Sequence, residues 1–328
     1  MIVIKATTFT PLVDTFVLPL VIGCLCLMAN ESQKALWSWV FHIAFLSNAV
    51  LGIFEFVTGY RLTPYVAGTV LIEQDWRSTS FFGHPLSNAT LTGCYILIIA
   101  FGGAREISVT LRVAMLLLQM IAMIAFGGRA ALSLAILILV ILGIIQLLKI
   151  LHGQRVRSLS IIIMIVLIPI SIFALIYAIE NGFFDRLMGR FVNDEGSAKA
   201  RLIMLDLFEY VSWFDLLLGP DPQLIATFQN NQGIEFGIES FWIGFIMNYG
   251  LIISMLFFSA LLSFSWKIAN LTSSGSGIIL FYFYGLASTS VSLSAKDILL
   301  GILVAMLMCL MRRPIHLKDD HHLLALSK

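Results

Sequence analysis

Apolar residues along this chain fall into uninterrupted runs rather than alternating with polar ones. The runs lie at roughly 11–29, 36–57, 86–102, 109–126, 130–148, 159–179, 239–264, 277–293 and 298–311. Most are long enough to cross a hydrocarbon core at 1.5 Å per residue. Barrel strands would alternate with period two, and these runs do not, so about nine membrane-spanning helices are predicted. The last two are short and can be kinked or paired around Ser294-Ala295-Lys296-Asp297. The predicted fold is an all-α integral membrane protein, with residues 1–328 forming a single polytopic domain. Within it, 180–238 form a large loop carrying short interfacial helices, and 312–328 form a tail.

Composition agrees with the pattern. Of 328 residues 59% are apolar and only 12% charged, and the mean hydropathy is +0.96, which excludes an ordinary soluble core of this size. Cys24, Cys26, Cys94 and Cys309 all fall in predicted spans, so neither a disulfide framework nor a zinc site is indicated. A Walker-type phosphate loop is missing, and no cofactor is implied. No cleavable leader is evident, because the first apolar run is followed by further spans. The chain has no internal repeat of the kind from which many transporters are built. The His-rich stretch 316–322 reads as a solvated tail.

Charge gives the orientation. Lys149, Arg155 and Arg157 share one short loop, and Arg312, Arg313 and Lys318 open the tail, so both are expected to be cytoplasmic. The span count then puts Lys34, Arg105 and Lys267 inside as well and the N-terminus outside. Six arginines are left on the outer side: Arg61, Arg77, Arg129, Arg186, Arg190 and Arg201. Outer lysines are fewer, namely Lys5, Lys199 and Lys296. Long loops cross irrespective of charge, so the arginines are permitted there without being explained. The choice of Arg over Lys suggests phosphate, which a planar guanidinium grips through paired hydrogen bonds.

Two outer segments exceed a turn, roughly 58–85 and 180–238. The first ends in Gly83-His84-Pro85-Leu86-Ser87-Asn88, where Pro85 sets the entry of a helix with Ser87 or Asn88 available as its N-cap. His84 is thereby held beside a helix start, a natural anion site, although the motif could equally just shape a turn. Gly127-Gly128-Arg129 joins two spans, and an arginine so near the hydrocarbon either snorkels or has a partner. In the long loop, Arg186 and Arg190 share a helix face beside Phe183, Leu187 and Phe191, the pattern of an interfacial helix. A second helix is predicted over about 198–213, capped by Ser197, with Arg201 in its first turn and an ion pair to Asp194 or Glu195 as the alternative role. Gly219-Pro220-Asp221-Pro222 forms a rigid turn. The chain re-enters the membrane at Glu239-Ser240, where a carboxylate can serve as a base or as a salt-bridge partner for one of the arginines.

Taken in order, these segments resemble the O-antigen ligase and polymerase family. Arg77 with Gly83-His84-Pro85-Leu86-Ser87-Asn88-Ala89 is similar to its Arg and Gly-His-Pro-Asn signature. Gly128-Arg129-Ala130-Ala131 is similar to its Ser-Arg-Gly-Ala segment. Arg201-Leu202-Ile203-Met204-Leu205 and Leu218-Gly219-Pro220 resemble its large loop, and Glu239-Ser240 through Asn248-Tyr249-Gly250 falls where the family has His-Asn and Glu-x-Gly. The resemblance covers roughly 70–310 and is closest to polymerase-like proteins of bacterial exopolysaccharide operons. Glu239 stands at the family's re-entry His, so the position carries over and the chemistry does not. Family members usually have a longer N-terminus, and an N-terminus outside would suit the loss of a leading helix.

The resemblance implies a GT-C-like glycosyltransferase of polysaccharide biosynthesis in the bacterial inner membrane. Its donor would be a polyprenyl-diphosphate-linked oligosaccharide and its partners an acceptor glycan, the bilayer and other exopolysaccharide assembly and export proteins; no nucleic acid is expected. Arg129 and Arg201, with Arg77 or Arg190, would bind the diphosphate, and Glu239 or His84 would be the catalytic base. Arginine charge would make a metal unnecessary. The alternatives are a transporter or flippase for a lipid-linked or anionic substrate and a non-catalytic subunit of a synthesis complex. Transport predicts charge deep in the spans, whereas Glu55, Arg112 and Asp14 lie near span ends.

Overall fold

A computed structural model describes residues 13–67, 70–72, 75–154, 197–232, 238, 240–290, 293 and 297–313. After a π-helical turn at Val13–Val17 come α1 (Leu18–Met28) and α2 (Glu31–Thr58). The chain between them turns sharply because Asn30 starts α2 with a reciprocal cap. The Gln33 amide donates to Asn30 Oδ1 at 2.8 Å and the Asn30 amide to Gln33 Oε1 at 2.9 Å. A two-residue antiparallel ladder, β1 (Val66–Ala67) with β2 (Val70–Leu71), decorates the next loop. There follow α3 (Pro85–Ala100), α4 (Val109–Phe126) and α5 (Arg129–Leu151). Beyond the undescribed 155–196 come three loop helices, α6 (Ser197–Tyr210), α7 (Trp213–Leu218) and α8 (Pro222–Gln232). The chain closes with α9 (Phe241–Tyr249), α10 (Leu251–Leu271), α11 (Ser276–Ala287) and α12 (Leu299–Leu310).

The protein is an all-helical membrane protein. Four of its described helices, α2, α4, α5 and α10, are long and apolar enough to cross a membrane, and the segment Val13–Met28 with α3, α11 and α12 are shorter apolar helices. Their outward faces stay greasy, with Leu256 69% and Leu262 71% exposed on α10, which suits lipid rather than water. The predicted run 159–179 lies outside the described residues.

The predicted run 239–264 is not one helix. Gly250, at φ +83°, separates α9 from α10, and a Cβ there would lie 2.5 Å from the Leu218 carbonyl carbon. Apolar composition is continuous across the break, so the pattern alone could not show it.

The core is organised on α3. From Leu91 to Ile99 every large side chain of this helix is fully buried, as expected for a helix apolar all round. It packs against α4, α5, α11 and α12. Lipid tails are as apolar as leucine, so these helices associate through close packing at small residues. Gly128 meets Ala89, Gly52 meets the Phe126 ring, and Gly93 meets the Tyr282 hydroxyl. That hydroxyl donates to the Ala131 carbonyl at 3.0 Å, tying α11 to α5. A smaller cluster of Met204, Leu207, Val211, Leu216, Ile225, Phe228, Ile238 and Met247 seats the loop helices on α9.

The helix directions sort the charges by end. Lys34, Arg105, Lys149, Lys267, Arg312 and Arg313 gather toward one end of the bundle, where the Ser273 amide donates to Met311 O at 2.8 Å and the Ala104 amide to Leu310 O at 2.9 Å. Arg61, Arg77 and Arg129 gather at the other end.

Candidate functional site

The Arg77 end is built on a carboxylate. Glu55 lies in the last turn of α2 and is only 2% exposed. Its Oε1 accepts from the Leu62 amide at 3.0 Å. Its Oε2 accepts from Ser78 Oγ at 2.6 Å, the Thr79 amide at 3.1 Å and the Ser80 amide at 2.9 Å. A carboxylate at the membrane edge becomes tolerable when donors surround it in this way. Its effect on the loop is to gather residues 62 and 78–80 onto the helix end.

Ser80 sits at φ +38°, an uncommon value for a residue with a side chain. It is held there from both sides, its amide by Glu55 and its Oγ donating to the Asn48 carbonyl at 2.9 Å. Thr79 donates to the Thr63 carbonyl, and Asn88 Nδ2 to the Thr79 and His84 carbonyls at 2.5 and 3.0 Å. Asn88 is thus a buried strut within α3. The N-cap of α3 is His84 rather than Ser87 or Asn88, its Nδ1 accepting from the Leu86 amide at 3.2 Å.

This frame fixes Arg77. Its Nε lies 3.0 and 2.9 Å from Asp75 Oδ1 and Oδ2, and its Nη2 2.5 Å from Oδ2, a forked pair with side chains only 13% and 7% exposed. Burial disfavours the Arg77 charge, the Asp75 carboxylate favours it more, and the pKa ends above the ordinary guanidinium value. The Tyr65 ring is shared: the guanidinium carbons of Arg77 and Arg61 lie 5.7 and 6.0 Å from its centroid, and His84 meets it edge-on at 5.3 Å. Arg61 also donates to the Ile72 carbonyl at 2.9 Å. Burial and the Arg77 charge push the His84 imidazole down to about 4. At neutral pH it is uncharged, with Nδ1 already engaged.

The Arg77 stem then packs on the α4–α5 turn. The Ser78 amide donates to Ala125 O at 3.0 Å, and a Cβ on Gly127 would fall 2.6 Å from Arg77 Cγ and 2.9 Å from Trp76. Gly127 is also left-handed, at φ +64°, so both geometry and space call for glycine. Arg129, the first residue of α5, emerges two positions later. The Gly-His-Pro segment and the Gly-Gly-Arg turn, some forty residues apart, are therefore one structural unit.

A second pair of segments also meets. Gly250 abuts the Leu218–Gly219 backbone, joining the Leu218-Gly219-Pro220 and Asn248-Tyr249-Gly250 motifs through two glycines at positive φ. Helix α6 lies where a helix over about 198–213 is predicted, but it includes Ser197 and ends at Tyr210, and Arg201 is its fifth residue, just past the four free amides of the first turn. The Arg201 side chain, Arg186, Arg190, Glu239 and the proposed interfacial helix around Phe183–Phe191 lie outside the described residues.

Sequence reasoning set Glu55 aside as a charge near a span end and passed over Asp75 and Tyr65. An acid ending an apolar run, four residues before Gly59, was the signal for Glu55. Asp75, two residues from Arg77, was the signal for its partner. Among the described residues no group of three or more His, Cys, Asp or Glu side chains is placed to hold a metal ion. No protein-family model, curated protein or solved structure matches the chain.

Proposed function

We propose that this protein transfers or polymerises polyprenyl-diphosphate-linked oligosaccharide units at the outer face of the bacterial inner membrane. The observation that carries this reading is the seating of Arg77 on Gly127, which brings the two short motifs bearing Arg77, His84 and Arg129 to one helix end. The separation of charges between the two bundle ends supports the accompanying topology, nine spans in a GT-C-like arrangement with the C-terminus in the cytoplasm. A lipid-anchored donor requires a site where helices meet the interface, and the Arg77 end lies at such a boundary.

In the reaction, the acceptor hydroxyl oxygen bonds to the anomeric carbon as the bond from that carbon to the diphosphate breaks. The hydroxyl proton passes to Glu239 or His84, and polyprenyl diphosphate leaves. Arg129 and Arg201 stabilise the negative charge gained by the leaving group, an interaction stronger in the transition state than in the ground state. Arg190 can extend this clamp. Arg77 serves it differently: with its fork on Asp75, it contributes field and shape rather than a free bidentate grip. His84 with a pKa near 4 is a weak base by Brønsted behaviour, which puts the larger expectation on Glu239.

Reconstitution with a lipid-linked oligosaccharide tests the proposal. New glycosidic bonds are expected from the wild-type chain, and Arg129→Ala and Arg201→Ala should each cost about 2.7–4 kcal/mol of transition-state stabilisation, a loss of roughly 10²–10³ in rate. Arg201→Lys should recover little. Polymer of normal length from both alanine variants, at unchanged expression, would overturn it. Movement of substrate without bond formation would point to transport instead.

A further inference from the structure

Two of the four cysteines meet where α1 lies along α12. The helices run in the same direction and keep one register. The Asp297 amide donates to Thr15 Oγ1 at 3.3 Å, a Cβ on Gly23 would lie 3.7 Å from Val304 Cγ1, and Arg312 reaches Glu31, just past α1, at 3.1 Å. Along these three contacts the offset between partners holds at 281 or 282 residues. Carried to Cys26, it arrives at residues 307 and 308, beside Cys309. The contact is direct, because the two thiols are hydrogen-bonded to each other.

Close approach is built into the helix pair. A Cβ on Gly301 would fall 3.0 Å from Ile22 Cδ1, so glycines at 23 and 301 let the two backbones near one another. Cys309 is held from behind as well, its carbonyl accepting from Ser38 Oγ of α2 at 3.1 Å. Both cysteines lie in the last turn of their helices, at the Arg312 end, within electrostatic reach of the Lys34 ammonium. Cys26 is half-buried and Cys309 buried, so a small reagent arriving from that end meets Cys26 first. Cys24 is exposed on α1 and Cys94 lies within the α3 core.

We propose that Cys26 and Cys309 are a redox-active thiol pair, which a hydroperoxide converts to a disulfide tying α1 to α12 and a dithiol reductant reopens. In the first step the Cys26 thiolate attacks one peroxide oxygen, the O–O bond breaks, and the departing hydroxide takes the thiol proton to become water. Cys26 is left as a sulfenic acid. The Cys309 sulfur then attacks Cys26 Sγ, the S–O bond breaks, and the second hydroxide leaves with the Cys309 proton as water. Two thiols have given up two electrons and two protons, and the peroxide has become two waters. Reduction runs through a mixed disulfide on Cys26 and returns both electrons and both protons. Among the described helices α12 is the main partner of α1, so this bond turns a packed contact into a covalent one that encloses most of the chain. The proposal rests on the packing of α1 against α12 and not on glycosyl transfer.

The full chain in lipid nanodiscs, titrated with hydrogen peroxide and then alkylated and mapped by mass spectrometry, tests it. A Cys26–Cys309 linked peptide should form while Cys94 stays reduced, and dithiothreitol should reopen it in the folded chain. Cys309→Ser should stop at the sulfenic acid, giving a dimedone adduct on Cys26. Cys24→Ser should leave the link unchanged. Gly301→Leu wedges the helices apart and should slow the link roughly ten-fold, since a disulfide tolerates little displacement of its Cβ atoms. The oxidised wild type should melt about 4 °C or more above the reduced form, an increment absent from Cys26→Ser.

The wild-type chain carries the main readout, so the outcome does not hang on whether a variant folds. A link confined to unfolded chain, a link between other cysteines, or a linked form that melts no higher than the dithiol overturns the proposal. So does a link that dithiothreitol cannot reopen without unfolding. Each of these results would leave the glycosyl-transfer reading untouched, and failure of that reading would leave the thiol pair in place.

Discussion

The two charged ends of the bundle are assembled on different principles. At the Arg312 end, ion pairs clip helix ends together: Arg312 Nη1 reaches Glu31 Oε2 at 3.1 Å and its Nη2 reaches Glu106, while Lys34 meets Glu31 at 3.1 Å. Glu31 is 54% exposed, so its two pairs are screened by water, while Glu106, 12% exposed, gives Arg312 its one more buried partner. At the Arg77 end the ions are buried and surrounded by backbone donors, and the loop they hold encloses a cavity. A fastening needs only that charges be near one another. A site needs them fixed in direction, and burial with multiple hydrogen bonds supplies that.

The sharpest way to break this contrast is at Glu55. Glu55→Ala strands the buried amides of Thr79 and Ser80, and should cost about 3–5 kcal/mol, as for other buried charged groups that lose their partner set. Thermal unfolding in detergent reads the loss directly. Glu31→Ala, at the other end, should cost less than about 1 kcal/mol. Equal effects at the two sites would remove the distinction between frame and fastening.

Gly127→Ala comes next. A left-handed alanine costs about 1–2 kcal/mol, and its Cβ must displace either the Arg77 stem or Trp76. The glycosyl transfer proposed above should then fall more than stability does, because the displaced stem carries the guanidinium with it. A kcat lowered by ten-fold or more with a melting temperature within a few degrees of wild type is the expected result. A change in stability alone would make Gly127 a turn residue only.

How much of this was legible beforehand depends on the reach of each interaction. Helix α4 and the two-glycine turn after it coincide with their apolar run and its end, because both are decided within a few residues. The Glu55 frame depends on pairings 7 to 25 positions apart, which no local pattern encodes. The Gly250 break was hidden for a related reason: apolar residues flank it on both sides, and its cause is the Leu218–Gly219 backbone brought in from the loop. The ordered motifs carry Arg77, His84 and Arg129, which the structure gathers at one end of the bundle. They did not reveal that Arg77 is already paired with Asp75, since a signature records which residues recur and not what they touch.

His84 gives the contrast a pH dependence. Its folded pKa of about 4 lies below the ordinary value of 6.5, so between those values the unfolded chain takes up the proton first. Stability from this group is complete above about pH 7 and is lost as pH falls toward 4. After discounting for its partial exposure, the effect should be on the order of 1–2 kcal/mol. Melting temperatures of wild type and His84→Asn, followed from pH 7.5 to 4.5, should converge at the acid end, because only the histidine loses this contribution. Parallel curves would place the imidazole in water and detach it from the Arg77–Tyr65 cluster.

The smallest effect should come from the fastening end. Lys34 pairs with Glu31 one helical turn away, its side chain 17% exposed against 54% for the glutamate. An exposed pair within a helix contributes about 0.3–0.5 kcal/mol, and Arg312 still holds Glu31 when the lysine is removed. Lys34→Ala should therefore shift the melting temperature by a degree or two, with the shift shrinking further in high salt because water reaches the pair. The Arg77–Asp75 pair should show no such salt dependence. If Lys34→Ala proved as costly as Arg77→Ala at every ionic strength, burial could not be what separates the two ends, and the difference in their hydrogen bonding would have to be explained by something other than the need to hold a loop in one direction.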